Sequence, residues 1–391
     1  MIFFKIGEKM ISSKERALLS FNHYSVDRVP IDLGGWVTTI HKKAYDDLIQ
    51  FSGIPDAEKE VHDWIRQTVI PDEKLLKFLD IDFRHIFPGK PNRWKFEIRE
   101  DNNHLEVIDE WGVKYHKPKN GGYYFDAVSG PLQKENANIK NIDEIKWPDP
   151  NDSGYFNNLK NKAEQIYKQN KFALVGELAW ETWYERSWKI RGFEKFYMDL
   201  ALNPDFAVAL IERVANIHMQ FLKNALKECG EYLDLVVQGG DFGTQSSLLF
   251  FPQMFRKYIK PVLVKVIELI KKHTSAKIFY HSCGAIAPII SDLIEIGIDI
   301  LNPFQVSAEG MNPEELKKSF GNKITFWEGI DAQKILPFGS AKEVSQEVKR
   351  VASIMNKNEG YVLSTVHNIQ PEVPPKNIVI ICKAARELRD G

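Results

Sequence analysis

The sequence predicts an α/β fold, a (β/α)8 TIM barrel carrying a small antiparallel β insertion. Three observations point there. Short apolar runs end in polar or glycine-rich turns, segments of helical period separate them, and the runs number eight. A strand in a parallel sheet is covered on both faces, so it reads as a continuous apolar run rather than an alternating one, as these do.

In order, the strand candidates are VPIDL (29–33), FRHIF (83–87), FALVGEL (172–178), LDLVVQ (233–238), KIFYH (277–281), DILN (299–302), KITFW (323–327) and YVLST (361–365). Seven are followed closely by a helical pattern, which favours a closed ring over an open sheet. Ahead of them, Ser12 and Glu15 form a capping box for a helix over KERALLSFN. The apolar part of the opening MIFFKIGEKM is too short for a signal peptide. Met10 is an alternative start that would make the preceding residues dispensable. Segment 251–274 carries Met254, Tyr258, Val262, Val266 and Ile270 on one helical face, with Pro261 expected to kink it. Asn312, Pro313 and Glu315 open another helix, and the last helix follows Pro374-Pro375 and runs to Leu388.

Residues 90–150 break this rhythm. KFEIRE, LEVIDEWGVKYHK and GGYYFDAV alternate in polarity with turn residues between them, so a small antiparallel insertion or lid is expected, closing on the linker WPDPND (147–152). The chain 1–391 then reads as one domain, a length that barrels with insertions reach.

Composition excludes several classes. Lys+Arg 52 against Asp+Glu 53 leaves a net charge of -1, without the basic surplus of a nucleic-acid binder. No apolar run approaches the roughly 20 residues that span a bilayer. Cys229, Cys283 and Cys382 are too few and scattered for a disulfide framework, which points to reduced thiols and a cytoplasmic location. Cys229 and Cys382 fall on expected helices as inert core residues.

Side chains at the C-terminal ends of barrel strands converge on one rim, so reactive residues there carry the functional argument. The fifth strand ends in His281-Ser282-Cys283-Gly284, and the eighth ends near His367-Asn368. His281, Cys283 and His367 make three N/S ligands, the number that leaves a catalytic zinc one open position. The bland alternative is a histidine capping a strand and a cysteine acting as a small hydrophobe. Asp241, in QGGDFGTQ (238–245), follows the fourth strand beside glycines that let a ligand approach, and Gln245 ends the same stretch. Glu177, Glu181 and Glu185 are spaced by four and share a face if that stretch is helical. They are either an active-site acid with its neighbours or a solvated helix start, and the interleaved Trp180, Trp183 and Trp188 argue for cover. Asp331, in EGID, is a substrate-binding candidate or a helix cap. Trp111, Tyr123 and Tyr124 either line a pocket or, the favoured reading, pack the insertion onto the barrel.

HSCGAIAPIISDLIEIGIDILNPFQ, ITFWEGID, HNIQPEVPPKNI and GGDFGTQSSLLFFPQMFRKYIKP together resemble the uroporphyrinogen-decarboxylase superfamily, most strongly from residue 170 onward. The resemblance implies one of two chemistries: cofactor-free decarboxylation of uroporphyrinogen, or zinc-assisted methyl transfer to or from a corrinoid on a separate protein. The decarboxylases carry an arginine-rich stretch near the first strand, whereas VPIDLGGWVTTIH (29–41) has no arginine after Arg28. His281-Ser282-Cys283 matches the His-x-Cys of the methyltransferase branch, but His367 stands where that branch places a second cysteine.

The expectation is therefore a methyltransferase moving a methyl group between a small methylated substrate, a methyl ether or similar, and a corrinoid protein. Zn2+ would sit on His281, Cys283 and His367. Glu185 and Asp241 would be catalytic, and Glu181, Gln245 and Asp331 would bind substrate. The alternatives are a decarboxylase of porphyrin biosynthesis and a non-catalytic small-molecule-binding barrel. No nucleic-acid or membrane partner is expected.

Overall fold

The computed structural model describes residues 11–178 and 181–390. The opening segment with Met10, and Trp180, lie outside the described residues. Parallel strands Phe83–Ile86, Ala173–Gly176, Leu235–Gly239, Lys277–His281, Ile300–Asn302, Thr325–Trp327 and Tyr361–Val362 form one sheet, each bonded to the next. Segment 29–33 closes the ring. Asp32 N–H donates to Leu363 O at 3.0 Å and Leu363 N–H to Pro30 O at 2.9 Å, while on the opposite side Asp82 N–H donates to Ile31 O at 3.0 Å. This eighth member pairs through an isolated parallel bridge rather than a full strand. Pro30 has no N–H to give, and Gly34 turns the chain away at φ +131°.

Side chains of the strands alternate between two compartments. Phe83, Val175, Val237, Phe279, Trp327 and Val362 pack together inside the ring, whereas Leu174, Val236, Ile278, Leu301, Phe326 and Tyr361 face the surrounding helices. Helix Ser13–Phe21 closes the lower end and has the expected Ser12–Glu15 capping box. Its Lys14 N–H reaches Lys171 O and its Ser20 hydroxyl reaches Tyr361 O, both where strands begin. The Phe21 ring stacks at 6.1 Å from Phe83 and 6.0 Å from Trp327.

The insertion is a four-stranded antiparallel sheet, Arg99–Glu100, His104–Ile108, Lys114–Pro118 and Asp126–Ser129 in chain order. A second small sheet was not anticipated: Ile40–His41, Thr68–Ile70 and Glu60–Asp63 pair antiparallel in that spatial order. Its hairpin carries Arg66 to the upper rim.

The long helix expected over 251–274 is divided. Pro252–Met254 leads into a π turn over Phe255–Ile259, followed by helix Lys260–His273. Pro261 lies in the first turn of that last piece, where the missing N–H does little harm, so the π turn replaces the expected mid-helix kink. Asn312 caps helix Pro313–Phe320, and the last helix spans Pro375–Arg386. Among the described residues no helix is long and apolar enough to cross a membrane.

Candidate active site

Strand Lys277–His281 delivers His281 to the upper rim, and the chain then turns through Cys283 to Gly284 at φ +87°. Glycine is required at this turn, since a Cβ on Gly284 would lie 2.5 Å from the Gly243 carbonyl carbon of the neighbouring loop. The turn is held from three sides. Cys283 N–H donates to Asp241 Oδ1 at 2.8 Å, Gly284 N–H to Gln305 Oε1 at 2.8 Å, and Phe242 N–H to Ser282 Oγ at 3.1 Å.

Asn302 Oδ1, on the next strand, lies 2.5 Å from His281 Nδ1. An amide oxygen only accepts, so the ring N–H sits on Nδ1 and Nε2 keeps its lone pair. That Nε2 is 3.4 Å from Cys283 Sγ and 3.5 Å from Asp241 Oδ1. His367 arrives from the far side of the ring, its imidazole centroid 5.7 Å from that of His281. One donor atom from each of His281, Cys283 and His367 lies within 4.8 Å of the other two.

This donor set fits a divalent metal of zinc's preferences. Burial holds both imidazoles in the neutral form a metal needs, His281 below its ordinary range and His367 at about 3, the latter with help from His281 and Arg66. Burial above all, then Asp241, Glu328 and Glu185, pushes the Cys283 thiol well above its usual value, so a bound cation would be needed to hold it as thiolate.

Glu177, Glu181 and Glu185 do not share a helix face. Helix Trp183–Arg191 begins only after Thr182, whose hydroxyl accepts the Glu185 N–H at 3.4 Å, so the three glutamates have three separate settings. Glu185 is buried with one carboxyl oxygen unpartnered, and burial, Asp241 and Glu181 push its pKa up to about 8. Asp241 goes the other way: burial opposes its ionisation, but the His281 ring and the Cys283 N–H hold it below the usual carboxylate range. Glu181 is ion-paired with Arg186 at 2.7 Å and with Lys189. Glu177 sits at the end of its strand and accepts the Trp36 N–H at 3.1 Å.

The remaining candidates stand farther out. Gln245 is exposed, its carbonyl taking the Glu309 N–H at 2.9 Å. Asp331 Oδ1 accepts N–H groups of Gln333 and Lys334, each at 2.7 Å, in a turn ahead of helix Ile335–Phe338, whose N-cap is Lys334 rather than Asp331. Tyr124 donates its hydroxyl to Gln370 and so ties the insertion to the barrel, while Trp111 lies under Arg186 at 5.2 Å from ring centroid to guanidinium. Cys229 and Cys382 are buried on helices, their thiols pushed up to about 12, burial being the main cause.

Sequence reasoning passed over three features. His85 stands between Asp32 Oδ1, 2.8 Å from Nε2, and Glu177 Oε1, 2.9 Å from Nδ1. Burial would strip its proton, but the two carboxylates outweigh that and raise it to about 9. Glu328 is fully buried and accepts the His367 N–H at 3.0 Å. Arg66 holds Asp63 at 2.8 Å and stacks over the Trp36 ring at 4.8 Å. A signal existed for the first two: a polar residue inside or at the end of an apolar strand run is uncommon unless it is paired.

Comparison with known proteins agrees with this architecture. A curated uroporphyrinogen decarboxylase from Rickettsia bellii is 22% identical over 274 residues, covering 67% of this chain and 74% of that protein. A methyltransferase from Methanosarcina mazei shares the fold with a TM-score of 0.64 at 16% identity, covering 97% of this chain and 99% of that one. The uroporphyrinogen decarboxylase (URO-D) family model matches residues 184–388, the half that supplies His281, Cys283 and His367, and the chain belongs to that family.

Proposed function

We propose that this chain transfers a methyl group between a small methylated substrate, a methyl ether or a related O- or N-methyl compound, and a corrinoid carried by a partner protein. The observation that carries the reading is the convergence of His281, Cys283 and His367 beside two carboxyl groups, Glu185 and Asp241, shifted in opposite directions. The fold shared with the Methanosarcina methyltransferase supports it. His281, Cys283 and His367 would hold a zinc ion, which would supply Lewis acidity toward a substrate heteroatom. Two imidazoles and one thiolate make a less sulfur-rich set than two thiolates, which favours an oxygen or nitrogen ligand.

Glu185, protonated at neutral pH, hands its proton to the heteroatom that loses the methyl group. The electron pair of the broken C–O or C–N bond stays on that atom, and the proton neutralises it. Asp241 stays ionised and holds the Cys283 turn through its backbone N–H. The partner meets the open rim where these groups converge. Decarboxylation of a polycarboxylate lacks its clamp: the buried Arg28 spends its guanidinium on Asp80, Asp82 and Val29 O.

The test combines the purified protein with reduced corrinoid proteins and a panel of methyl ethers, methylamines and thiols, read by corrinoid absorbance. A spectral change with an ether or amine, slowed in Glu185→Gln while metal content is retained, is expected. No change with any pair overturns the reading.

A further inference from the structure

Beside the rim, the unanticipated hairpin and the insertion enclose a cavity of about 240 Å³. A cavity of roughly 150 Å³ suffices for benzene, so a substituted ring fits. Trp64, Trp94, Phe96 and Trp111 line it together with three cations, Arg66, Lys90 and Arg186. The Trp64 ring lies 5.3 Å from Phe96 and 6.5 Å from Trp94, centroid to centroid, so the aromatic wall is continuous.

The charges around the cavity are unequally engaged. Asp63 is bonded to Arg66 at 2.8 Å, Asp109 and Glu181 are both paired with Arg186, and Glu110 accepts the Tyr155 hydroxyl. Every wall carboxylate therefore has a partner. Among the described residues, Arg66 uses only Nη1 in a hydrogen bond, leaving Nε and Nη2 without a protein acceptor, and the Lys90 ammonium has no carboxylate partner. The Arg66 charge also acts on His281, His367 and Glu185, which places this cavity next to the donor cluster.

We infer that this cavity binds a flat aromatic anion, its ring against Trp64, Trp94 and Phe96 and its carboxylate on Arg66 and Lys90. Guanidinium presents a planar fork that matches a carboxylate, and an indole wall matches the face of an aromatic ring. That this ligand is the substrate rests on the methyl-transfer reading; its chemical class does not.

The test titrates the intact protein with benzoate, with benzyl alcohol as the neutral analogue, cyclohexanecarboxylate as the non-aromatic anion and benzyltrimethylammonium as the cation, read by calorimetry and tryptophan fluorescence. Benzoate is expected to bind at least about tenfold more tightly than any of the other three. Lys90→Ala, at an exposed position that leaves packing intact, should weaken benzoate about tenfold and leave benzyl alcohol unmoved. Absence of benzoate binding, a comparator that matches it, or indifference of benzoate to both Lys90→Ala and Trp94→Leu overturns the inference. If 4-methoxybenzoate binds but yields no methyl transfer, the cavity stands and the methyl-transfer reading fails for this ligand. If neutral ethers are turned over without benzoate binding, only the cavity inference fails.

Discussion

The backbone N–H of His367 donates to the buried carboxyl of Glu328 across 3.0 Å, and both residues hold left-handed backbone, φ +63° and +83°. Non-glycine residues in that region are strained, and such strain persists where the surroundings over-determine it. Here it aims His367 into the ring. Burial pushes the Glu328 carboxyl well above its usual range, which favours its neutral form, and its oxygen still accepts the His367 N–H. Glu328→Gln should keep that acceptor and retain metal. Glu328→Leu strands the N–H at a cost of about 1–3 kcal/mol and should lose metal, measured by elemental analysis with a parallel melting curve.

Metal content should follow the donors and their support. The wild type should carry close to one zinc equivalent, and Cys283→Ala should lose most of it. Asn302→Leu removes the acceptor that keeps the His281 proton on Nδ1, and should weaken zinc affinity by roughly 10- to 100-fold without touching a ligand. Full activity in protein stripped of metal would contradict the zinc assignment.

Glu185 titrates between its unfolded value of 4.5 and a folded value of about 8. In that window the folded chain holds a proton that the unfolded chain has released, so stability contributed by this group falls as pH rises and levels off above about 8. Proton donation to the departing heteroatom should fade across the same upper limit. The rate of methyl transfer is expected to decline above pH 8 in the wild type. Glu185→Gln should be slow throughout and should flatten the pH dependence of the melting temperature in this window.

His85 behaves oppositely. Its folded value of about 9 exceeds the ordinary 6.5, so its contribution to stability is fully present below 6.5 and is lost as pH rises through 9. His85→Leu leaves Asp32 and Glu177 buried without their partner and should destabilise the chain by about 3–5 kcal/mol. Chemical denaturation at pH 6 and pH 10 should show that the difference between wild type and variant shrinks at the higher pH.

Uroporphyrinogen should be neither bound tightly nor decarboxylated, because Arg28 is committed to Asp80 and Asp82 and segment 29–41 offers no other arginine. Coproporphyrinogen formed in proportion to enzyme concentration would reverse this expectation.

The barrel was legible because seven of its strands are apolar runs long enough to announce themselves. Segment 29–33 was legible as a run, but its role in closing the ring lies in hydrogen bonds to Leu363 and Asp82. The hairpin over 60–70 was not legible at all: Thr68–Ile70 and Glu60–Asp63 are too short for a period to show, and a bulge between Val61 and Asp63 shifts their register. The glutamate series shares a face only if the stretch is helical, and a spacing of four says nothing about where a helix begins; here it begins at Trp183, so the condition fails for Glu177 and Glu181.

What the sequence by itself determined is local: strand runs, caps such as Ser12 with Glu15, and the His281-Ser282-Cys283 spacing that brings two donors to one strand end. What only the tertiary structure decided is which distant groups share a buried space. His367 joins His281 across the ring, Asp32 and Glu177 clasp His85, and Arg66 reaches the rim from a hairpin. The reason is physical. Side-chain periodicity reports only which face of an element is covered, whereas a group's protonation and its fitness as a ligand depend on desolvation and on charges within a few ångströms, whatever their separation along the chain.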